Sequence, residues 1–310
     1  MNLGPPCQNR TIRMNLQIAL AVLSTLSTKP AAQELFRVVD VESTIAADGR
    51  IAFVSNRGGN GMQLYIASAD GSTLRQLTDS EGAKDTPAWS PDAKRLAFVW
   101  VRDGQADLWS IDIDGLSTQQ ITKSPHNDLH PHWSPDGRSL LFTRYREGNE
   151  SSAERLDLVM IDADGSNEKQ LTTGSSASYG SWSPDGKRIA YWRYFDDNAD
   201  IAIADADGRN ERRLTPDSAF DGWPSWSPDS QRLAFARVID DSSTELYVLD
   251  ICSGDLRLID APAGRKTSPK WGVDGRSLLF DRGYQGQTGI WRVDLEALAP
   301  APKESGSCAE

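Results

Sequence analysis

All three histidines of the chain lie close together in one short stretch. His126, His130 and His132 precede Trp133, and Asp128 lies between the first two of them. Imidazole nitrogens and carboxylate oxygens are ligands of divalent transition metals. His130 and His132 alternate along a strand-like segment and would share one face, whereas His126 would lie on the preceding loop. The stretch is a candidate metal site, and the alternative is a polar loop with solvated or packed histidines.

Serine catalysis finds less support in the sequence. A serine hydrolase needs a nucleophile, a base and a group that orients the base, and the chain has no Gly-x-Ser-x-Gly elbow. Its many Ser-Asp pairs belong to turns. The repeated Asp-x-Asp-Gly segments, such as 112–115, lack the further ligands of a calcium loop and are typical of hairpin turns. Catalysis by serine is therefore not expected.

A repeated motif defines the elements that must position the histidines. Trp-Ser-Pro-Asp-Gly at 133–137 has near copies on both sides, and successive tryptophans are 44, 49, 44 and 45 residues apart. A sixth copy without tryptophan begins at Asp48. Proline presets φ at the second position of a turn, and aspartate can accept hydrogen bonds from nearby backbone amides, so each copy predicts a turn. The five tryptophans are Trp89, Trp133, Trp182, Trp226 and Trp271.

Each repeat also carries short apolar runs that predict four strands. After the turn comes an alternating run such as 95–100, then a third run such as 107–112, an Asp-Gly hairpin signal and a fourth run. Four-stranded units that recur every 40 to 45 residues are typical of propeller blades. We therefore predict an all-β fold, a six-bladed β-propeller with four-stranded blades, over residues 34–298.

The two ends of the repeat region suggest how the ring closes. The last unit ends near Asp294 without a fourth strand, and a strand-like segment from Leu35 to Val39 precedes the first unit without partners of its own. An open ring would leave unpaired strand edges. We expect this segment to pair as the outer strand of the last blade.

Residues 1–33 are predicted to be a signal peptide or leader. Arg10 and Arg13 precede a short apolar run that ends in small residues, which is typical of a secretory signal; a cytosolic leader is the alternative, and Met14 is an alternative start. Residues 299–310 are predicted to be a disordered tail. Export to the periplasm or the medium would permit a disulfide between Cys252 and Cys308, with two free thiols as the alternative.

Composition narrows the classes of partner. The net charge is −11, which argues against nucleic acid and anionic lipid because binding of phosphate needs a basic surface. No long apolar run follows the leader, so we expect no membrane insertion. We expect a monomer.

Residues 34–298 resemble TolB-type propellers in three features of the repeat. These are the Trp-Ser-Pro-Asp-Gly turn, the basic and apolar second strand, and the Asp-Gly turn before Gln-Leu-Thr. Such propellers serve as periplasmic scaffolds, as gating domains of prolyl peptidases and as the body of some pectin-fragment lyases. The resemblance thus implies the fold more specifically than the function. Because few residues separate the leader from the closing strand, we expect the chain to lack the amino-terminal α/β domain of TolB itself.

In a propeller, the segments that enter each inner strand converge on the mouth of the central channel. Aromatic and charged groups at these positions predict a site for a peptide segment or a sugar, although Tyr179 and Trp223 could instead pack between blades. The candidate site residues at the channel mouth are Asp85, Asp128, His130, Tyr179, Asp221, Trp223 and Lys266.

Two functions from different classes remain open at this point. The first is a non-catalytic, TolB-like propeller that binds a protein or peptide partner in the cell envelope. The second is a metal-dependent carbohydrate lyase or hydrolase of the oligogalacturonide type, which would use His126, His130 and His132. Similar lyases gather their metal-binding histidines from several blades, whereas here one segment supplies all three. We favour the binding function and expect no cofactor. A divalent metal at the histidines is the alternative.

Overall fold

The chain folds into strands arranged as six separate antiparallel sheets in the computed structural model of the protein. The structure describes residues 39–148, 154–174, 176–195, 198–284 and 287–295. Each sheet is built from consecutive strands, so every blade is a meander in which neighbours in sequence are neighbours in space. The fold is therefore the six-bladed β-propeller that the repeat predicts. No helix long and apolar enough to span a membrane occurs in these described ranges.

The first three blades contain four strands each. Blade one consists of β1 (Asp40–Ile45), β2 (Ile51–Ser55), β3 (Gln63–Ala67) and β4 (Leu74–Gln76). Blade two consists of β5 (Ala83–Trp89), β6 (Arg95–Arg102), β7 (Gln105–Asp112) and β8 (Thr118–Gln120). Blade three consists of β9 (Asn127–Trp133), β10 (Ser139–Arg146), β11 (Arg155–Asp162) and β12 (Lys169–Gln170).

The second half of the ring repeats this order. Blade four consists of β13 (Ala177–Trp182), β14 (Arg188–Phe195), β15 (Asn198–Asp205) and β16 (Arg212–Arg213). Blade five consists of β17 (Phe220–Trp226), β18 (Arg232–Asp240), β19 (Ser243–Asp250) and β20 (Leu256–Ile259). The described part of blade six has three strands, β21 (Arg265–Trp271), β22 (Ser277–Tyr284) and β23 (Gln287–Asp294).

The repeated motif links blades three, five and six to the blade before each of them. The indole N–H of Trp133 donates to the carbonyl of Ala88 in blade two, and Trp226 and Trp271 make the same bond to blades four and five. The Arg95 guanidinium, in blade two, stacks 4.6 Å from the Trp133 ring. Within the motif, the serine hydroxyl binds the aspartate carboxylate, as in Ser134 and Asp136 at 2.6 Å. These bonds give the motif a structural role.

A bulge occurs at the same place in all six inner strands. The pairing register with the second strand slips there in every blade. One non-glycine residue at each bulge has a positive φ, between 41° and 56°, a conformation that is costly for bulky side chains. Because the bulge recurs, it belongs to the architecture and bends each inner strand around the channel. The six bulge residues are Glu42, Thr86, His130, Tyr179, Trp223 and Ser268.

The first and last blades meet directly. Strand β1 contacts all three described strands of blade six, and the Glu42 backbone N–H donates to the Asp281 carboxylate at 2.7 Å. Blades three and four make an equivalent contact at the bulge residue of blade four. There the Tyr179 N–H donates to the Thr143 hydroxyl at 3.2 Å. The predicted closing segment, Leu35 to Val39, lies outside the described residues except for Val39, which does not form part of a strand.

The other predictions about the ends of the chain also fall outside the described residues. These are the leader at 1–33, the tail at 299–310 and the half of the proposed disulfide that involves Cys308. Cys252 lies in the turn between β19 and β20, and it is disulfide-bonded.

Candidate functional site

The centre of the ring holds a small polar cavity to which all six blades contribute. Four of the bulge residues line it, together with the residues that follow them in the inner strands. Its volume is about 40 Å³, which corresponds to two or three water molecules at about 15 Å³ each. The cavity therefore admits a small polar group but not a sugar ring. The four bulge residues that line it are Glu42, Thr86, His130 and Tyr179.

Aromatic rings from three consecutive blades form one wall. His130 stacks on Tyr179 with ring centroids 3.7 Å apart, and Tyr179 meets Trp223 edge to face at 6.0 Å. Trp223 in turn contacts Phe220 at 5.8 Å. Burial raises the pKa of the Tyr179 hydroxyl well above its ordinary value, and the Glu42 carboxylate adds to the effect. The wall is thus continuous, with neutral rings.

Acidic groups occupy the opposite side, where blades one, two and six meet. Burial and, to a smaller extent, the neighbouring Glu42 carboxylate raise the pKa of Asp85 to about 8. Burial likewise raises the pKa of Glu42 and, well above its ordinary value, that of Asp281. Lys270 lies near Glu42 and Asp281, and burial lowers its pKa. Glu42 and Asp281 therefore share one ammonium group, and all three carboxyl groups retain protons more readily than in water.

The three histidines occupy two different environments. His130 and His132 line the cavity, where burial lowers their pKa values to about 3 and about 4 and the Lys270 charge contributes. Burial also lowers the pKa of His126, but the charges next to it are Arg146 and Arg144 of strand β10. In the described part of the chain, the group of three side chains with ligand atoms within 4.8 Å of one another is Asp200, Asp217 and Asp221; it contains no histidine.

Two of the predicted site residues are held in ion pairs within their own blades. The Asp128 carboxylate is fully buried and accepts two hydrogen bonds from Arg144, at 2.7 and 3.0 Å. Asp221 has the same register position in blade five and makes the same pair with Arg237, at 2.8 Å for each bond. These aspartates therefore cross-link the first and second strands of their blades and do not line the cavity.

Lys266 and Asp85 are placed differently from each other. The Lys266 ammonium group donates to the carbonyls of Pro262 and Gly264, and the side chain does not line the cavity. Asp85 precedes the bulge residue Thr86, whose backbone N–H donates to the Asp85 carboxylate at 2.8 Å. Of the predicted residues, His130 and Tyr179 thus line the cavity. Trp223 and Asp85 lie at its margin, next to the lining residues Tyr179 and Thr86.

Sequence reasoning missed three groups of this site. Glu42 belongs to the blade whose motif lacks a tryptophan. In that blade Ile45 takes the place of the tryptophan in the strand pairing, and counting three residues back from Ile45 would have identified Glu42. Lys270 directly precedes Trp271 and points to no chemistry by itself. Asp281 depends on the packing of β22 against blade one, and no local pattern indicates that contact.

The fold and the central cavity define the class of protein: a six-bladed β-propeller whose six blades converge on a polar lumen. The model of the TolB beta propeller domain matches residues 147–301, half of the chain. The chain therefore belongs to the TolB β-propeller family. The model of the Tricorn protease N-terminal beta propeller domain also matches, over residues 42–202.

Individual curated relatives match shorter segments than the family model does, and the solved structures match at low sequence identity. A protein TolB homolog of Chlorobium luteolum is 47% identical over 58 residues, which is 19% of this chain and 13% of that protein. Matched segments cover only 10% to 14% of the curated relatives' length. The structure of TolB from Acinetobacter baumannii matches with a TM-score of 0.68 at 22% identity, over 94% of this chain and 69% of that one.

A more distant structural likeness concerns an enzyme. An oligogalacturonate lyase in complex with manganese matches with a TM-score of 0.59 at 14% identity, over 84% of this chain and 90% of that one. At these identities, the likeness to either solved structure shows the fold alone.

Proposed function

We propose that this propeller is a non-catalytic binding module for a protein or peptide partner in the cell envelope, and that the partner engages the mouth of the central channel. The observation that carries the proposal is the convergence of His130, Tyr179 and Trp223, one from each of three consecutive blades, beside the carboxyl groups of Glu42 and Asp85. Aromatic side chains in a partly desolvated pocket are the usual anchors of protein interfaces.

The arrangement supports binding more than catalysis. A metal-dependent lyase would need its metal ligands close together, and the three histidines do not form such a group among the described residues. Asp128, the oxygen donor next to them in sequence, is held by Arg144. The TolB family and the predicted leader both support an envelope location. The fold by itself is compatible with either function.

The test begins with the purified mature protein and an extract of envelope proteins from the source cell. Cross-linked partners would be identified by mass spectrometry, and one partner would then be purified and titrated calorimetrically against the wild type, with and without chelator. Tyr179→Ala removes the central ring of the aromatic wall. Tyr247→Ala is the matched control, because Tyr247 also stacks on a neighbour, Phe235, but lies in β19, outside the inner strands.

We expect Tyr179→Ala to weaken the binding of the partner by at least about tenfold, since truncation of a central aromatic anchor costs about 2 kcal/mol or more. Tyr247→Ala and chelator should leave the affinity unchanged. Equal affinities of Tyr179→Ala and wild type would refute the placement of the site. Turnover of oligogalacturonides by the metal-loaded protein, lost in a His130→Ala, His132→Ala double variant, would replace the proposal with the lyase.

A further inference from the structure

The acidic side of the cavity carries more negative than positive charge. Glu42 comes from β1, Asp85 from β5 and Asp281 from β22, whereas the cation near Glu42 and Asp281 is Lys270 of β21. With all groups ionised, the cluster would have a net charge of −2. Buried charge without a counter-charge is costly. The free protein meets this cost by keeping protons on the carboxyl groups, as their raised pKa values indicate.

Polar atoms around the cavity remain without partners. The Thr86 hydroxyl lines the cavity, its residue is 9% exposed, and it makes no hydrogen bond to any described residue. One carboxylate oxygen of Asp281, a residue 4% exposed, likewise has no partner in the described ranges. Unsatisfied buried acceptors are rare in native proteins and call for an explanation. Thr86 lines the cavity whereas Asp281 lies behind Glu42, so a ligand with hydrogen-bond donors in the cavity would satisfy the Thr86 hydroxyl.

The opposite wall suits a cation as well. Tyr179 and His130 are stacked, and an aromatic ring face attracts cations within about 6 Å. The imidazoles of His130 and His132 stay neutral above about pH 4 because burial lowers their pKa values. They therefore do not repel a positive ligand.

The size of the cavity limits the cation. A volume of about 40 Å³ admits an ammonium group, which is about the size of a water molecule, and leaves little room for a planar guanidinium group. An ammonium group has three donors and no acceptor, and it is carried by a slim alkyl stem in lysine.

We propose that the channel cavity binds a primary ammonium group of the partner, presented as a lysine side chain or a free amino terminus. This inference rests on the proposed function, because it names the chemical group by which a protein or peptide partner would enter the channel. The ammonium group donates to Glu42 and Thr86, which line the cavity, and it lies next to Asp85 at the margin. There it replaces a proton that the carboxyl groups keep in the free protein.

The exchange of a proton for an ammonium group makes binding depend on pH. Ionisation of Asp85 must accompany binding, so the affinity for amines should rise between pH 6 and 8.5. Above that range the amine itself loses its proton, near its ordinary pKa of about 10.4. The titratable groups that interact with Asp85 are Glu42 and Tyr179. Around them lie Asp281 and Lys270, and the Lys270 charge also acts on His130 and His132.

The first probe is n-butylammonium chloride, with n-butanol as its neutral counterpart. Both would be titrated into the wild-type protein at pH 8 and followed by NMR chemical shifts of the tryptophan indoles and the histidine rings. The variants are Glu42→Gln and Asp85→Asn. Asp207→Asn is the matched control, because it removes one carboxylate from an exposed turn residue. Thermal melting shows that each variant is folded.

We expect saturable binding of butylammonium and no binding of butanol. Glu42→Gln and Asp85→Asn should each lose affinity by at least about tenfold, since each removes a carboxylate that attracts the ammonium group. Asp207→Asn should bind like the wild type. Equal shifts with butanol and butylammonium in the wild-type protein would overturn the inference even if no variant folds. Displacement of butylammonium by an equimolar divalent metal would overturn it in favour of a metal site.

Two peptides of the partner separate the sources of the ammonium group. Acetylation of the amino terminus abolishes binding if the terminus enters the cavity, and acetylation of lysine abolishes it if a side chain enters. Retention of full affinity after both acetylations would overturn the inference and leave the proposed function standing. Binding of butylammonium together with unchanged partner affinity in Tyr179→Ala would instead refute the proposed function.

Discussion

Replacement of Arg144 by methionine should destabilise the propeller strongly. The Asp128 carboxylate is completely buried, and the Arg144 side chain is 5% exposed. Arg144 makes two hydrogen bonds to Asp128 and also pairs with Glu168, which is 44% exposed. The remaining partner of Asp128 is the Thr122 hydroxyl. Removal of one partner from a buried pair costs about 3 to 5 kcal/mol, because the other charge stays buried without compensation.

This cost is large on the scale of a folded domain. A typical domain is stable by about 5 to 15 kcal/mol, and for about 150 to 250 residues each kcal/mol lowers the melting temperature by about 2 to 4 °C. We therefore expect Arg144→Met to lower the melting temperature by roughly 6 to 20 °C, measured by calorimetry or circular dichroism. Asp128→Leu combined with Arg144→Met should recover most of the loss, since apolar replacement of a whole buried pair is often neutral.

Arg292→Met provides the matched control for this experiment. The Arg292 side chain is 54% exposed, and its carboxylate partners Asp274 and Asp294 are 45% and 78% exposed. Such surface pairs contribute about 0 to 1 kcal/mol. A melting temperature of Arg144→Met as close to the wild type as that of Arg292→Met would refute the structural role of the pair. Asp128 would then be free to act as a ligand, as the sequence alone suggested.

Three further predictions concern pH, blade contacts and ring closure. The folded-state pKa of Asp85, about 8, lies above its unfolded value, so its contribution to stability is complete below pH 4 and is lost as pH rises through 8. Between pH 7 and 8 the wild type should therefore lose up to about 1.4 kcal/mol of stability relative to an Asp85→Asn variant; Lys84, whose pKa burial lowers to about 8, contributes to both proteins alike. Equal slopes of stability against pH for the two proteins in urea denaturation would contradict this. Arg188 stacks 5.0 Å from the Trp226 ring and donates to the carbonyl of Ser230, so Arg188→Met should cost about 1 to 3 kcal/mol; an unchanged urea midpoint would show that the stack contributes nothing. Deletion of residues 34–39 should lower the stability by several kcal/mol if they complete blade six, and a truncated protein that melts like the parent would disprove the strand exchange.

The number of blades and the family follow from local patterns. The regular spacing of Trp89, Trp133 and their equivalents counts the repeats, and the turn chemistry of Ser-Pro-Asp-Gly acts within a few residues. Alternating apolar runs define strands because the side-chain period of a strand is two. All of these signals act over short stretches of chain, which is why the sequence by itself determines that this protein is a six-bladed propeller.

The position of His130 and Tyr179 at the channel could also be predicted, since both precede a motif tryptophan by three residues. Their stacking at 3.7 Å could not, because it depends on how two blades pack and on bulges that reverse φ at both residues. The bulges leave no residue-type signature in the sequence. Their six occupants, from Glu42 to Ser268, share no chemistry.

The roles of the charged residues were decided only by the tertiary structure. Asp85 and Asp128 look alike in sequence, as acidic residues just before a bulge. Asp128 precedes its bulge residue by two positions and pairs with Arg144 inside its blade. Asp85 precedes its bulge residue by one position, and it lies beside Glu42 at the margin of the lumen. The partner of a buried charge lies on another strand or another blade. Local sequence therefore determines the blades, whereas the packing of blades around the ring determines which charges face the cavity.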